Sequence, residues 1–255
     1  MMTGIFDSHA HYDDSAFDED RDLLLASMES RGVTKIVNCA SDINSSFTSL
    51  ALAEKYPFIY AACGVHPHEA SECADDFVDV LKGLLKKPEC VAIGEIGLDY
   101  HYDFSPRERQ IQVLRLQLEL ARETDTPIIF HDREAHEDTL NLLREYKPRG
   151  VVHCFSGSVE MAKEIIALGM YIGLGGAVTF KNARKPCEVA ASVPEDRLLV
   201  ETDCPYMTPV PFRGTRNDSS YIPYTAEKLA EIRGVSPQEI CDITARNASE
   251  LFKIS

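Results

Sequence analysis

The feature that most constrains this chain is alternation. Short runs rich in β-branched and aromatic residues recur along its length: Ile5–His11, Lys35–Ser41, Ile59–His66, Val91–Leu98, Pro127–Arg133, Gly150–Phe155, Met170–Gly175 and Leu198–Asp203. Between them lie stretches of helical period, Asp20–Ser30, Ser45–Lys55, Phe77–Lys86, Pro106–Glu123, Glu134–Tyr146 and Glu160–Leu168. In the fourth of these, Ile111, Leu114, Leu118 and Ala121 share one face, charges occupy the other, and Ser105-Pro106 opens the helix. Strands that alternate with helices build right-handed βαβ units and a parallel sheet. Eight such strands predict an α/β chain closed into a TIM-like (β/α)8 barrel, a single domain over residues 1–255. The weakest crossover is the seventh, because Ala183–Ala191 reads as a poor helix interrupted by Pro186. A Pro/Gly/Arg-rich loop, Pro205–Pro223, follows the last strand and leads into helical segments.

Composition narrows the function classes. With 41 acidic against 26 basic side chains the net charge is −15, which argues against a protein that grips nucleic acid through a broad basic face. The opening residues carry no basic segment followed by an apolar stretch, and no apolar run approaches membrane-spanning length, so a cytoplasmic protein without a membrane partner is expected. None of the eight cysteines forms a C-x-x-C pair, and Cys39, Cys63, Cys90 and Cys154 sit in apolar strand-like segments. They read as buried reduced thiols, with Cys204, beside Asp203, the one candidate for an oxidation-sensitive thiol.

The strand ends carry the chemistry. The first ends in Asp7-Ser8-His9-Ala10-His11, and a His-x-His on a strand points both rings to the same face. The fourth holds Glu95 inside an apolar run, the fifth ends at His131, the sixth at His153 and the eighth at Asp203. Singly, each residue is ordinary: a lone strand histidine is usually a hydrogen-bonded core residue, and an Asp at a strand end is usually a cap. Jointly, six ionisable or coordinating groups occupy the same position on five strands, where a barrel builds its active site. Burying them uncompensated would be costly, and coordination of divalent cations resolves the cost. Mixed imidazole and carboxylate ligands suit zinc, manganese or another first-row ion, with magnesium where oxygens dominate. Six ligands exceed the needs of one ion. Two are therefore expected: His9, His11 and Asp203 around one, His131 and His153 around the other, and Glu95 bridging.

With these motifs in view the chain resembles the TatD-type metal-dependent deoxyribonucleases of the amidohydrolase superfamily over essentially its whole length. The resemblance rests on Asp7-Ser8-His9-Ala10-His11, Gly64-Val65-His66-Pro67-His68, Gly94-Glu95-Ile96-Gly97-Leu98-Asp99-Tyr100 and His131-Asp132-Arg133-Glu134-Ala135. It continues with His153-Cys154-Phe155-Ser156-Gly157, Glu201-Thr202-Asp203-Cys204-Pro205-Tyr206, Arg216-Asn217 and Asn247-Ala248. It implies a TIM-like barrel, a divalent-metal centre and phosphodiester hydrolysis on DNA, with His9, His11, Glu95, His131, His153 and Asp203 at the positions of the family's metal ligands. By the same resemblance His66 falls at a histidine of the active-site mouth, contacting a phosphate or the leaving group, and digestion from the 3′ end of single strands is implied. Some members lack the first His-x-His, which this chain keeps. The sequence departs from the usual pattern at Tyr12, at His101 and at Asp218-Ser219, none of them a proposed ligand.

The expected reaction is attack of metal-activated water on a phosphodiester, with Asp203 orienting the nucleophile or accepting its proton. Arg133, Lys181, Arg213 and Arg216 are candidate phosphate contacts, Arg213 foremost, and Tyr100 is a candidate for stacking on a base. No obligate protein partner is implied. The same ligands would serve a small-molecule amide or ester hydrolase, or a deacylase acting on charged tRNA, because activated water attacks carbonyl carbon as well as phosphorus.

Overall fold

Each strand of the computed structural model, which describes residues 1–254, hydrogen-bonds in parallel to the next one along the chain. The strands are β1 (Ile5–Ala10), β2 (Val33–Cys39), β3 (Ile59–Cys63), β4 (Cys90–Asp99), β5 (Ile128–Arg133), β6 (Gly150–Val152), β7 (Tyr171–Leu174) and β8 (Leu198–Val200). The last and first meet through a single parallel bridge, Ala10 to Cys204, with the His11 amide donating to the Cys204 carbonyl at 2.8 Å. The result is a nearly closed (β/α)8 barrel of one domain, as the alternation predicts. Residue 255, the end of the expected domain, lies outside the described residues. No helix among them is long and apolar enough to cross a membrane.

The helices lie outside the barrel: α1 (Arg21–Ala26), α2 (Ile43–Lys55), α3 (Phe77–Leu84), α4 (Arg107–Thr124), α5 (His136–Tyr146), α6 (Val159–Ala167), α7 (Arg184–Ser192), α8 (Ile222–Arg233) and α9 (Pro237–Phe252). One buried cluster fills the space between strands and helices. A second fills the barrel itself, with Phe6, Val37, Cys39, Ala62, Ala92, Ile129, Val151, Tyr171 and Leu199 from the strands. Leu251, Phe252 and Ile254, at the end of α9, join this inner cluster and plug the bottom of the barrel.

Three expectations are corrected. The seventh crossover does contain a helix, α7, because Pro186 occupies its third position, where a backbone N–H would have no intrahelical acceptor. The first helix is shorter than Asp20–Ser30: α1 ends at Ala26, and a separate single 3-10 turn, Glu29–Arg31, closes on Gly32 with φ of 85°. Several strands also stop early, β3 at Cys63, β6 at Val152 and β8 at Val200. His66, His153 and Asp203 therefore stand on the turns just beyond, where Cys154 and Asp203 adopt left-handed φ values of 43° and 57°.

Cys204 is wholly buried, and burial pushes its thiol well above the usual range, so it is not the accessible thiol that its neighbour Asp203 suggests. All eight cysteines are free.

Candidate metal centre

The His-x-His at the end of β1 brings His9 Nε2 within 2.9 Å of His11 Nε2. The tautomer of His11 follows from its other nitrogen, since Nδ1 lies 2.8 Å from the Cys39 carbonyl, an acceptor only. Nδ1 carries a hydrogen, so Nε2 is the nitrogen left to bind a cation once it gives up its own. It faces Asp203 Oδ1 at 3.4 Å and Glu95 Oε2 at 3.5 Å, while His9 Nε2 lies 3.3 Å from the same Glu95 oxygen.

The other side of the centre repeats the logic with one residue per strand. Glu95 Oε1 lies 2.8 Å from His131 Nδ1 and 2.7 Å from His153 Nε2. His131 Nε2 is 3.2 Å from Asp99 Oδ2 and donates there, which leaves Nδ1, turned inward to Glu95, as its nitrogen for a cation. The two oxygens of one buried carboxylate are thus shared between two sets of imidazoles. Three groupings have ligand atoms within 4.8 Å of one another: His9–His11–Asp203, His9–Glu95–His153 and His66–Glu95–His131.

Electrostatics follow from how closely these groups are gathered. Burial opposes charge on Glu95, but His153, His66 and His9 hold its carboxyl well below the usual range. Burial also opposes charge on His11, yet its hydrogen bond to Asp203 and the charges of Glu95 and Asp203 push it up to about 10. His131 rises to about 9 against burial, through the carboxylates of Asp99 and Glu95. His9, stacked on His153 at 3.8 Å, falls to about 4 through burial and then the His153 charge. Inward imidazole nitrogens, paired carboxylate oxygens and an all-nitrogen-and-oxygen donor set fit divalent cations of the zinc or manganese type.

His66 differs from the others. Its Nδ1 accepts from the His68 amide at 3.2 Å, so the ring hydrogen sits on Nε2, which faces Glu95 Oε1 at 3.4 Å. Burial holds its pKa down at about 4, leaving a neutral imidazole that offers a hydrogen-bond donor to the mouth.

Several supporting residues had no role in the sequence reading. Asp99, last in β4, accepts from both His131 and His68, the latter at 2.8 Å. Gln110 and Gln117, seven apart on the inner face of α4, clamp backbone at Asp99 and Val65, and their place on an otherwise apolar face is a signal the sequence carried. Asp7 is wholly buried and accepts from the hydroxyls of Thr202 and Ser219 and the amides of Thr202 and His9, stitching β1 to the loop after β8. Two departures from the family pattern meet here, since the Tyr12 and Ser219 hydroxyls lie 2.8 Å apart. Beneath His153, burial raises Glu201 to about 8, and a Cβ on Gly173 would fall 2.3 Å from its Oε2. An added Cβ there would push that carboxyl aside.

The candidate substrate residues divide. Arg216 forms a two-pronged ion pair with Asp20 and lies over Phe17, which commits it to structure. Tyr100 donates its hydroxyl to Asp138 and has Arg107 over its ring at 4.2 Å, so it is engaged on both counts. Arg133, Arg213 and Lys181 are exposed, and among the described residues none pairs with a carboxylate. Arg213 rests over Phe180 at 3.8 Å and Arg133 over Tyr102 at 4.6 Å.

Comparison with known proteins gives the family of the chain. The family model described as TatD related DNase matches residues 6–253. The chain is 43% identical to an uncharacterized metal-dependent hydrolase, YabD, of Bacillus subtilis, with 98% of this chain and 100% of that protein covered. It is 35% identical to the 3'-5' ssDNA/RNA exonuclease TatD of Salmonella typhimurium, over 98% and 99% of the two chains. Among solved structures it superimposes on YJJV, a TatD homolog from Escherichia coli K12, with a TM-score of 0.93, 35% identity and full coverage of both chains.

Proposed function

Because the chain belongs to the TatD-related DNase family and is a metal-dependent hydrolase, we propose that it hydrolyses phosphodiester bonds at the 3′ ends of single-stranded DNA, using a centre that holds two divalent ions. His9, His11 and Asp203 would hold one ion, His131 and His153 the other, and Glu95 both. The observation that carries the reading is the division of Glu95: Oε2 faces the β1 histidines and Oε1 faces His131 and His153. Paired ions of this kind lower the pKa of a water and neutralise charge on phosphoryl oxygens. Four imidazoles favour zinc or manganese over magnesium.

The remaining chemistry belongs to the chain. Asp203 stays charged despite burial, through the His11 hydrogen bond and the charges of His9 and His153, and its side chain keeps 18% exposure. Its carboxylate orients the attacking water and takes its proton at Oδ. His66 donates from Nε2 to a phosphoryl or leaving-group oxygen. Arg133 and Arg213, on the rim, offer planar donors to backbone phosphates. A net charge of −15 repels long polymers elsewhere, so grip is local to the mouth.

The test is digestion of end-labelled single-stranded DNA by protein stripped of metal and reloaded, beside Glu95→Ala. Loss from the 3′ end that needs metal, stops at a blocked 3′ terminus and vanishes in the variant is the expected result. Intact DNA alongside turnover of amide, ester or aminoacyl-tRNA substrates would move the reaction to carbonyl carbon.

A further inference from the structure

The rim of the barrel carries one exposed aromatic surface that the hydrolytic chemistry leaves unused. Tyr102 and Phe104 lie on the loop after β4, with rings stacked at 5.2 Å between centroids and 16° between planes. They are 46% and 67% exposed, although large apolar rings ordinarily turn inward. The Arg133 guanidinium, at the end of β5, lies over the Tyr102 ring, and no carboxylate claims it among the described residues. The surface is also joined to the centre. His68 meets Phe104 edge-on at 4.8 Å and Tyr102 at 5.5 Å, and donates to Asp99, which in turn receives His131. A ligand resting on these rings therefore lies one hydrogen-bonded chain from Glu95.

We propose that Tyr102 and Phe104 form a stacking platform for an unpaired nucleobase at the end of the strand, with Arg133 holding an adjacent phosphate. The inference rests on the nuclease reading and deepens it. A base is a flat π-faced plate, and a tyrosine–phenylalanine stack offers it the same kind of surface whatever its identity. The guanidinium supplies the positive charge that a base-bearing strand brings a phosphate to meet, which an apolar or cationic ligand would not use. Duplex ends, whose bases are already stacked and paired, gain nothing from the platform, so it provides a physical basis for choosing single strands.

The test separates the platform from the nuclease reading by measuring binding as well as turnover. A short single-stranded oligonucleotide with 2-aminopurine at its 3′ end and phosphorothioate linkages that resist cleavage is titrated into metal-loaded protein, with and without Tyr102→Ala and Phe104→Ala. Stacking quenches the probe, and losing the rings should weaken binding by about 5- to 150-fold, with quenching lost. Tyr102→Phe should retain both. An oligonucleotide abasic at its 3′ end should bind the unsubstituted-rim protein as weakly as the intact one binds the double variant. Circular dichroism and metal content of the variants confirm that the fold and centre survive. Equal affinity and equal quenching with and without the rings overturn the platform, even if DNA is digested normally. Ring-dependent binding without any DNA hydrolysis by the wild type upholds the platform and overturns the nuclease reading instead.

Discussion

The two sides of the metal centre are built differently. On the β1–β8 side, two histidines from a single tripeptide and an aspartate from the closing loop converge, and their support is neutral or hydroxyl-based. His11 leans on the Cys39 carbonyl, and Asp7 ties the seam through Thr202 and Ser219. On the β4–β6 side each strand contributes one ligand, and His131 is backed by a full carboxylate, Asp99. A charged partner behind an imidazole raises its basicity and its grip on a metal more than a carbonyl does. His9 Nδ1 and His153 Nδ1, one on each side, are buried without a hydrogen-bond partner among the described residues. On the proposed two-ion reading, the difference implies metal positions of unequal strength, with the better-supported one on the β4–β6 side.

Removing the shared element should break the comparison altogether. Glu95→Ala deprives both sides, and a loss of about 10³-fold or more in turnover is expected, at the upper end for one electrostatic contact. Elemental analysis should find both metal equivalents reduced. His11→Ala should act on one side only, lowering metal content by one equivalent while the second survives extended dialysis. If both ions leave together, the sides are not independent.

Asp99→Asn probes the charged support directly. Metal affinity or activity should fall about 10- to 100-fold, the usual cost of losing a partner behind a ligating histidine. The same side bears on pH. In the metal-free chain His11 and His131 hold protons up to about 10 and 9, so at neutral pH metal uptake must displace them. Apparent affinity should therefore rise with pH below those values, with release of up to two protons detected calorimetrically in buffers of differing ionisation enthalpy. Uptake without proton release would show that the imidazoles are neutral before the metal arrives.

The smallest effect is expected at the seam. Ser219→Ala removes one of four donors to Asp7, costing about 1–3 kcal/mol of stability in urea denaturation while metal content holds. Lost metal in that variant would make the seam part of the centre rather than its frame.

What the sequence could disclose follows the same division. Strand existence and order were legible because period-two and period-3.6 patterns encode which face is buried. The ends of β3, β6 and β8 were not, because the chain leaves the sheet there to aim His66, His153 and Asp203, and left-handed residues such as Cys154 and Asp203 leave no mark on hydrophobic periodicity. The six ligand candidates were still legible, because each is a polar residue in or just after an otherwise apolar strand run, although only His9, Glu95 and His131 lie within strands. Asp99 lay inside a quoted motif without a role, since its purpose appears only when His131 arrives on β5 and His68 on the turn after β3. Tyr100 and Arg216 illustrate the opposite case, residues of suitable chemistry whose partners, Asp138 with Arg107 and Asp20 with Phe17, are fixed by packing that spacing does not reveal.

The plug formed by Leu251, Phe252 and Ile254 gives the barrel a floor. On the nuclease reading, a well with a floor has one doorway, and arrivals and departures must take turns in it. The freed nucleotide leaves past the strand it came from, and the shortened strand can advance only after that exit is clear. Traffic through a tunnel would let an enzyme thread its polymer continuously. Single-door traffic instead ties each round of cutting to a departure, and product accumulating outside would slow the queue.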